Sequence, residues 1–123
     1  MIVDDSAAFR DAIRHLISKN PAYQVVAEAE NGQTAIELCE KHQPDLILMD
    51  IEMPIMNGIE ATKLLLLGNK DLKIIGVTAH EERLYLDDIV TAGFVAFIYK
   101  NQVFDQLEDA IESAIAGKFY LTL

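Results

Sequence analysis

The chain has 123 residues, 51% of them hydrophobic, which fits one domain long enough to bury a substantial core. Its formal charge of -10, from 10 Lys+Arg against 20 Asp+Glu, argues against a sequence-independent binder of the nucleic-acid backbone, which needs clustered cations. A single cysteine, Cys39, excludes an internal disulfide, and no apolar run approaches the roughly 18 residues of a membrane span, so a soluble protein of the reducing cytoplasm is expected.

Along the chain, short β-rich runs alternate with helical periodicity five times, the pattern of a parallel sheet covered by helices on both faces. The first run is only "MIV", followed by "DDS", where Ser6 can cap a helix with Phe9, Ile13, Leu16 and Ile17 on one face. That helix is expected to end near Asn20-Pro21. The second strand is read as "YQVVAEA" and the second helix as "NGQTAIELCEKH", with Asn31 as cap and Ala35, Ile36 and Cys39 facing inward. "DLILMD" is continuously apolar, as a strand buried on both faces should be. After the turn "MPIMNG", a third helix runs through "IEATKLLLL" to Gly68-Asn69, its four leucines read mainly as core. Strand four is "KIIGVTA", helix four "HEERLYLDDIVTAG" and strand five "VAFIYK". Helix five carries Val103, Leu107, Ala110, Ile111 and Ala114 at helical spacing before Gly117. The expectation is a doubly wound α/β fold built of five β/α units in one domain, 1–123.

Polar residues recur at one place in this pattern. Asp4 and Asp5 follow strand one, Asp50 follows strand three, Thr78 ends strand four and Lys100 follows strand five. In a doubly wound sheet these ends share one edge, where ligands bind near the topological switch point. Three carboxylates there resist joint ionisation unless a cation sits among them, and an all-oxygen donor set suits Mg²⁺. Asp50 is then placed to act as a nucleophile in aspartyl-phosphate chemistry, with Lys100 and the Thr78 hydroxyl facing the phosphoryl oxygens. Taken singly, Asp4-Asp5-Ser6 is more often a helix cap, Thr78 a strand residue and Lys100 a solvated strand end; the shared edge overturns these readings. Gly58, after Asn57, is read as serving a left-handed or tight turn.

The motifs "VDDS", "LMDIEMPIMNG", "VTA" and "FIYK" resemble the receiver domain of two-component response regulators, and the likeness covers the whole chain. The resemblance implies a flavodoxin-like (βα)5 fold with five strands in the order 2-1-3-4-5, phosphorylated by a sensor histidine kinase or a phosphotransfer protein. It implies that Asp50 is the phosphoacceptor and that Mg²⁺ is held by Asp5 directly, by Asp4 through water, by Asp50 and by the Glu52 carbonyl. Thr78 and Lys100 then resemble the switch hydroxyl and the phosphate-binding lysine, and Phe97, three residues before Lys100, the switch aromatic. Tyr99 is not that residue.

Within the family, "NPAYQVVAEAENGQTAIEL" and "AIESAIAGKFYL" are similar to LuxR-type (NarL/FixJ-like) receivers that precede a DNA-binding domain. No such domain lies within this sequence, so the expectation is a receiver half of a transcription factor, with a stand-alone receiver as the alternative. Homodimerisation on phosphorylation is implied, DNA contact only through an absent C-terminal domain, and no turnover of an external substrate. Three departures stand out, one being that Lys100 is followed by Asn101 where the family frequently has proline. Strand one has only three residues before Asp4, shorter than the family usually has. Glu52 and His80 each stand two residues after a site residue, at positions expected to set the lifetime of the phosphoryl group.

Overall fold

The computed structural model describes residues 1–79 and 86–121. Six strands, β1 (Ile2–Val3), β2 (Glu28–Ala29), β3 (Leu46–Asp50), β4 (Lys73–Thr78), β5 (Ala96–Tyr99) and β6 (Tyr120–Leu121), form one parallel sheet. Among the described residues five α-helices alternate with them: α1 (Ala7–Ser18), α2 (Gly32–His42), α3 (Gly58–Gly68), α4 (Leu86–Ala92) and α5 (Val103–Ile115), with a single 3-10 turn, Lys100–Gln102, between β5 and α5. The sheet order is β2-β1-β3-β4-β5-β6, so the expected 2-1-3-4-5 arrangement is present and is extended at one edge. The count of five strands is corrected by β6, two residues that pair with Ala96 and Phe97. A two-residue strand carries too little alternation to stand out in a sequence.

Helices α1, α2 and α3 begin where side chains can satisfy their free N–H groups. Ser6 Oγ accepts from the Phe9 N–H at 3.2 Å and Asn31 Oδ1 from the Thr34 N–H at 2.9 Å, as the sequence suggested. Asn57 does the same for α3: its Oδ1 accepts from the Glu60 N–H while its amide donates to the Glu60 carboxylate, both at 2.9 Å. This reciprocal pairing starts α3 immediately after the loop that follows Asp50.

Strand alternation sorts the core into two layers. Val3, Ile47, Met49, Ile74 and Phe97 face α2, α3 and α4, where Ala35, Ala61, Leu65 and Ile89 meet them. Ile2, Leu48, Ile75, Val77 and Ile98 face α1 and α5. All five residues read as the inner stripe of α5 are buried there, with Ile13 from α1. Each fully buried aliphatic side chain contributes about 1.5–3 kcal/mol, so the two layers fix the strand register firmly.

Two further expectations are corrected. The second strand is Glu28–Ala29 rather than the whole of "YQVVAEA", because its only partner, β1, offers two residues to pair with. The four leucines of α3 are only half core: Leu65 is buried, Leu64 and Leu67 are exposed. Four successive residues at about 100° each span most of a helix circumference and cannot all face inward.

Gly58 has a different reason for being glycine from the turn expected of it. A Cβ at this position would lie 1.9 Å from the carbonyl oxygen of Asp50, and the Gly58 N–H donates to the Ile51 carbonyl at 2.8 Å. The first turn of α3 therefore rests directly on the backbone of Asp50, an approach only glycine permits. Gly58→Ala is expected to lower stability by about 1–3 kcal/mol in denaturant unfolding; wild-type stability would contradict the close approach.

Candidate functional site

The strand order reverses between β1 and β3, which places the end of β3 beside the end of β1. Asp4 and Asp5 leave β1 at that point and Asp50 closes β3, so residues 45 positions apart in sequence meet at the switch point. One carboxylate oxygen from each of Asp4, Asp5 and Asp50 lies within 4.8 Å of the others. Asp4 and Asp50 are buried, at 1% and 5% exposure, and Asp5 is exposed, which opens the cluster to solvent on one side. Such a set of hard oxygen donors fits a divalent cation that keeps part of its water shell.

Each buried carboxylate is oriented by its neighbours. Asp4 Oδ1 accepts from the Ser6 N–H at 2.8 Å, and Asp50 Oδ1 from the Ile51 N–H at 2.8 Å. The second oxygens face Lys100, whose Nζ stands 2.7 Å from Asp4 Oδ2 and 3.4 Å from Asp50 Oδ2. One ammonium is thus shared between two buried anions. Burial, and after it the charge of Asp4, push the Asp50 carboxyl from 3.8 up to about 7, against the pull of Lys100 and of the Ile51 N–H. Burial works to lower the pKa of Lys100, but Asp4 and Asp50 outweigh it and the net direction is upward. Lys100 stays charged while Asp50 is held near its titration point.

Thr78 is buried at the end of β4, pairing in register with Tyr99, and Asp50 pairs with the preceding Val77. Phe97 is buried in the α2-α3-α4 layer, its ring edge-on to Tyr99 at 5.4 Å between centroids. Gly76 makes room for it: a Cβ there would come within 3.2 Å of the Phe97 ring and 3.1 Å of Phe94. Alternation puts Gly76 and Thr78 on one face of β4, so Thr78 and Phe97 share the same side of the sheet. The Glu52 side chain is exposed on the loop after Asp50 and is not one of the three clustered carboxylates; only its backbone carbonyl was expected as a ligand. The expectation for His80 lies outside the described residues.

One contact at this edge was not foreseen. The Lys100 ammonium sits over the ring of Phe9, 4.5 Å from its centroid. Periodicity had put Phe9 on the inward face of α1, and this is so, but the face it meets includes the lysine as well as the core. The ring's negative face holds a cation without adding another anion to a cluster that already has three.

Residues 1–112 match the response regulator receiver domain family. The transcriptional regulatory protein DegU of Brevibacillus brevis is 35% identical over 121 residues, 98% of this chain and 51% of DegU. The chemotaxis protein CheY of Bacillus subtilis is 39% identical over 115 residues, 94% of this chain and 95% of CheY. Among solved structures, a LuxR-family two-component response regulator from Aurantimonas sp. SI85-9A1 superposes with a TM-score of 0.92 at 32% identity, covering 98% of this chain and 86% of that one. The chain spans about half the length of several curated relatives, 51% of DegU and 57% of the response regulator GacA of Pseudomonas aeruginosa. An acid cluster and a lysine at the switch point of a 2-1-3-4-5 sheet agree with the sequence match, and the chain belongs to the response regulator receiver domain family, with LuxR-family response regulators among its structural neighbours.

Proposed function

We propose that residues 1–123 form one receiver unit that accepts a phosphoryl group on Asp50 from the phosphohistidine of a sensor kinase or phosphotransfer protein. The observation that carries this reading is the meeting of Asp4, Asp5, Asp50 and Lys100 at the switch point. An Asp50 oxygen attacks phosphorus, and the new P–O bond forms as the P–N bond breaks, its electron pair leaving on the imidazole nitrogen. Lys100, already between Asp4 and Asp50, is placed to follow the negative charge onto the phosphoryl oxygens, and the Thr78 hydroxyl to donate to one of them. Asp4, Asp5, Asp50 and the Glu52 carbonyl would hold Mg²⁺, which supplies charge neutralisation at the same oxygens. Slow attack by water on the acyl phosphate resets the domain, with no external substrate turned over; Glu52 and His80 set that lifetime.

The added charge of about -1.5 to -2 draws Thr78 toward Asp50, and Phe97, already buried on the same face of the sheet, repacks behind it. The output is a homodimer or an effector surface. Because the chain spans about half of DegU, the reading favoured is the receiver half of a LuxR-type transcription factor, with DNA contacted by another domain, in the cytoplasm. A stand-alone receiver is the second reading, favoured by 95% coverage of CheY. Among the described residues no helix is long and apolar enough to cross a membrane.

Intact mass after incubation with acetyl phosphate tests the chemistry. A gain of one phosphoryl group is expected with Mg²⁺ and is lost with EDTA and in Asp50→Ala; an undiminished gain in the variant would refute Asp50 as acceptor. The pH dependence of stability follows from the raised pKa of Asp50, from 3.8 to about 7. A folded state that holds a proton more tightly than the unfolded one is favoured at low pH, and this contribution is lost as pH rises toward about 7. The Met1 ammonium, pushed by burial down to about 6, titrates in the opposite sense, so the comparison must be made against Asp50→Asn. In EDTA, wild type is expected to lose melting temperature relative to Asp50→Asn between pH 5 and pH 8, and Mg²⁺ to restore it; parallel curves would contradict the reading.

A further inference from the structure

Beside the acid cluster, on the side away from Lys100, a chain of ion pairs ends on the backbone that carries two of the three carboxylates. Arg10 Nη1 donates to the Asp4 carbonyl at 2.7 Å, and its Nε to Glu28 Oε1 at 3.3 Å. The other oxygen of Glu28 accepts from Arg14 Nη1 at 2.5 Å, and Arg14 Nη2 donates to Asp11 Oδ1 at 2.6 Å. The guanidinium of Arg10 and the carboxylate of Glu28 are largely covered, at 14% and 25% side-chain exposure. Glu28 belongs to β2, where it pairs with Ile2 of β1.

We infer that Arg10, braced by Glu28, is a positioning residue for the metal-ligating loop: it fixes the Asp4–Asp5 peptide and thereby aims the Asp5 carboxylate. This rests on the reading of Asp4, Asp5 and Asp50 as a Mg²⁺ site. The Asp4 N–H is held by the Ala29 carbonyl at 3.0 Å, and the Asp4 side chain by Ser6 and Lys100. Arg10 secures the Asp4 carbonyl, which lies in the same peptide plane as the Asp5 nitrogen. With that plane free to rotate, the exposed carboxylate of Asp5 swings away from its two buried partners. A ligand set ordered beforehand binds a cation without the entropy cost of assembling it.

The charges of the device cancel. Arg10 and Arg14 bring two positive charges, Glu28 and Asp11 two negative, so the clamp orders the loop without opposing a cation through its field. A bare arginine at this place would repel the ion that the loop is ordered to receive. Positioning and electrostatics therefore predict opposite signs for the loss of Arg10. If Arg10 acted through its charge alone, Arg10→Met would tighten Mg²⁺ binding.

The test is calorimetric titration of the metal-free protein with Mg²⁺, with no phosphodonor, alongside thermal melting. Arg10→Met is expected to raise the Mg²⁺ dissociation constant about tenfold despite removing a positive charge. Arg10→Lys, which can still reach the Asp4 carbonyl, is expected to recover most of the affinity, and Glu28→Gln to weaken binding in a salt-dependent way. An unchanged or tighter dissociation constant in folded Arg10→Met would overturn the inference while leaving the metal site standing. Wild-type protein that binds no Mg²⁺, or binds it equally in Asp50→Asn and Asp5→Asn, would overturn the metal reading and this inference together.

Discussion

The constraint on which the structure turns is the crowding of negative charge around Asp50. At an effective dielectric constant of about 20, two unit charges 4.8 Å apart, the outer limit of the cluster, repel by about 3.5 kcal/mol, and Asp4 and Asp50 are both buried. One ammonium, shared by both, offsets part of this. The fold holds the carboxylates together regardless, through the Ser6 and Ile51 N–H groups and through α3, which rests on the Asp50 backbone at Gly58. A site assembled against its own electrostatics is receptive to a cation and to a change in the charge of Asp50. The scaffold supplies the rigidity; the unrelieved charge supplies the response.

The architecture gives that response somewhere to go. Asp50 lies on the central strand β3, whose other neighbour β4 carries Thr78 at its end and Gly76 two residues before. The space left by Gly76 is filled by the rings of Phe94 and Phe97, so a side chain proposed to move with Thr78 is already seated on its face of the sheet. On the opposite face, α1 contributes Phe9 to the lysine and Arg10 to the acid-bearing loop. Successive residues of one helical turn thus meet the two charged sides of the site.

Much of this was legible in the sequence, and the parts that were not share a cause. Strong periodicity located the inner stripe of α5 residue by residue, and Ser6 and Asn31 announced their helices because capping is local. The convergence of Asp4, Asp5, Asp50 and Lys100 was legible because each stands at a strand end, and topology alone brings strand ends together. The extent of β2 was not legible, since it depends on how much partner β1 offers, and β6 was too short to register. Gly58 looked like a turn residue because its real neighbour, the Asp50 carbonyl, is defined only once the chain has folded back. Arg10 lies among polar positions on α1, where nothing in the pattern distinguishes a solvated arginine from one that reaches back to a carbonyl six residues earlier. Contacts between distant elements are where sequence patterns are silent.

Burial and the charge of Asp4 raise the pKa of the Asp50 carboxyl above the ordinary carboxylate range, and everything proposed for the site depends on this. The most direct measurement is the ¹³C chemical shift of the Asp50 carboxyl followed by NMR as a function of pH in metal-free protein. A midpoint near 7, moving well downward in Asp4→Asn and again when Mg²⁺ is added, is the result predicted. A midpoint near the ordinary 3.8, indifferent to both, would mean that the cluster carries no electrostatic tension and that the switch must be driven by something else.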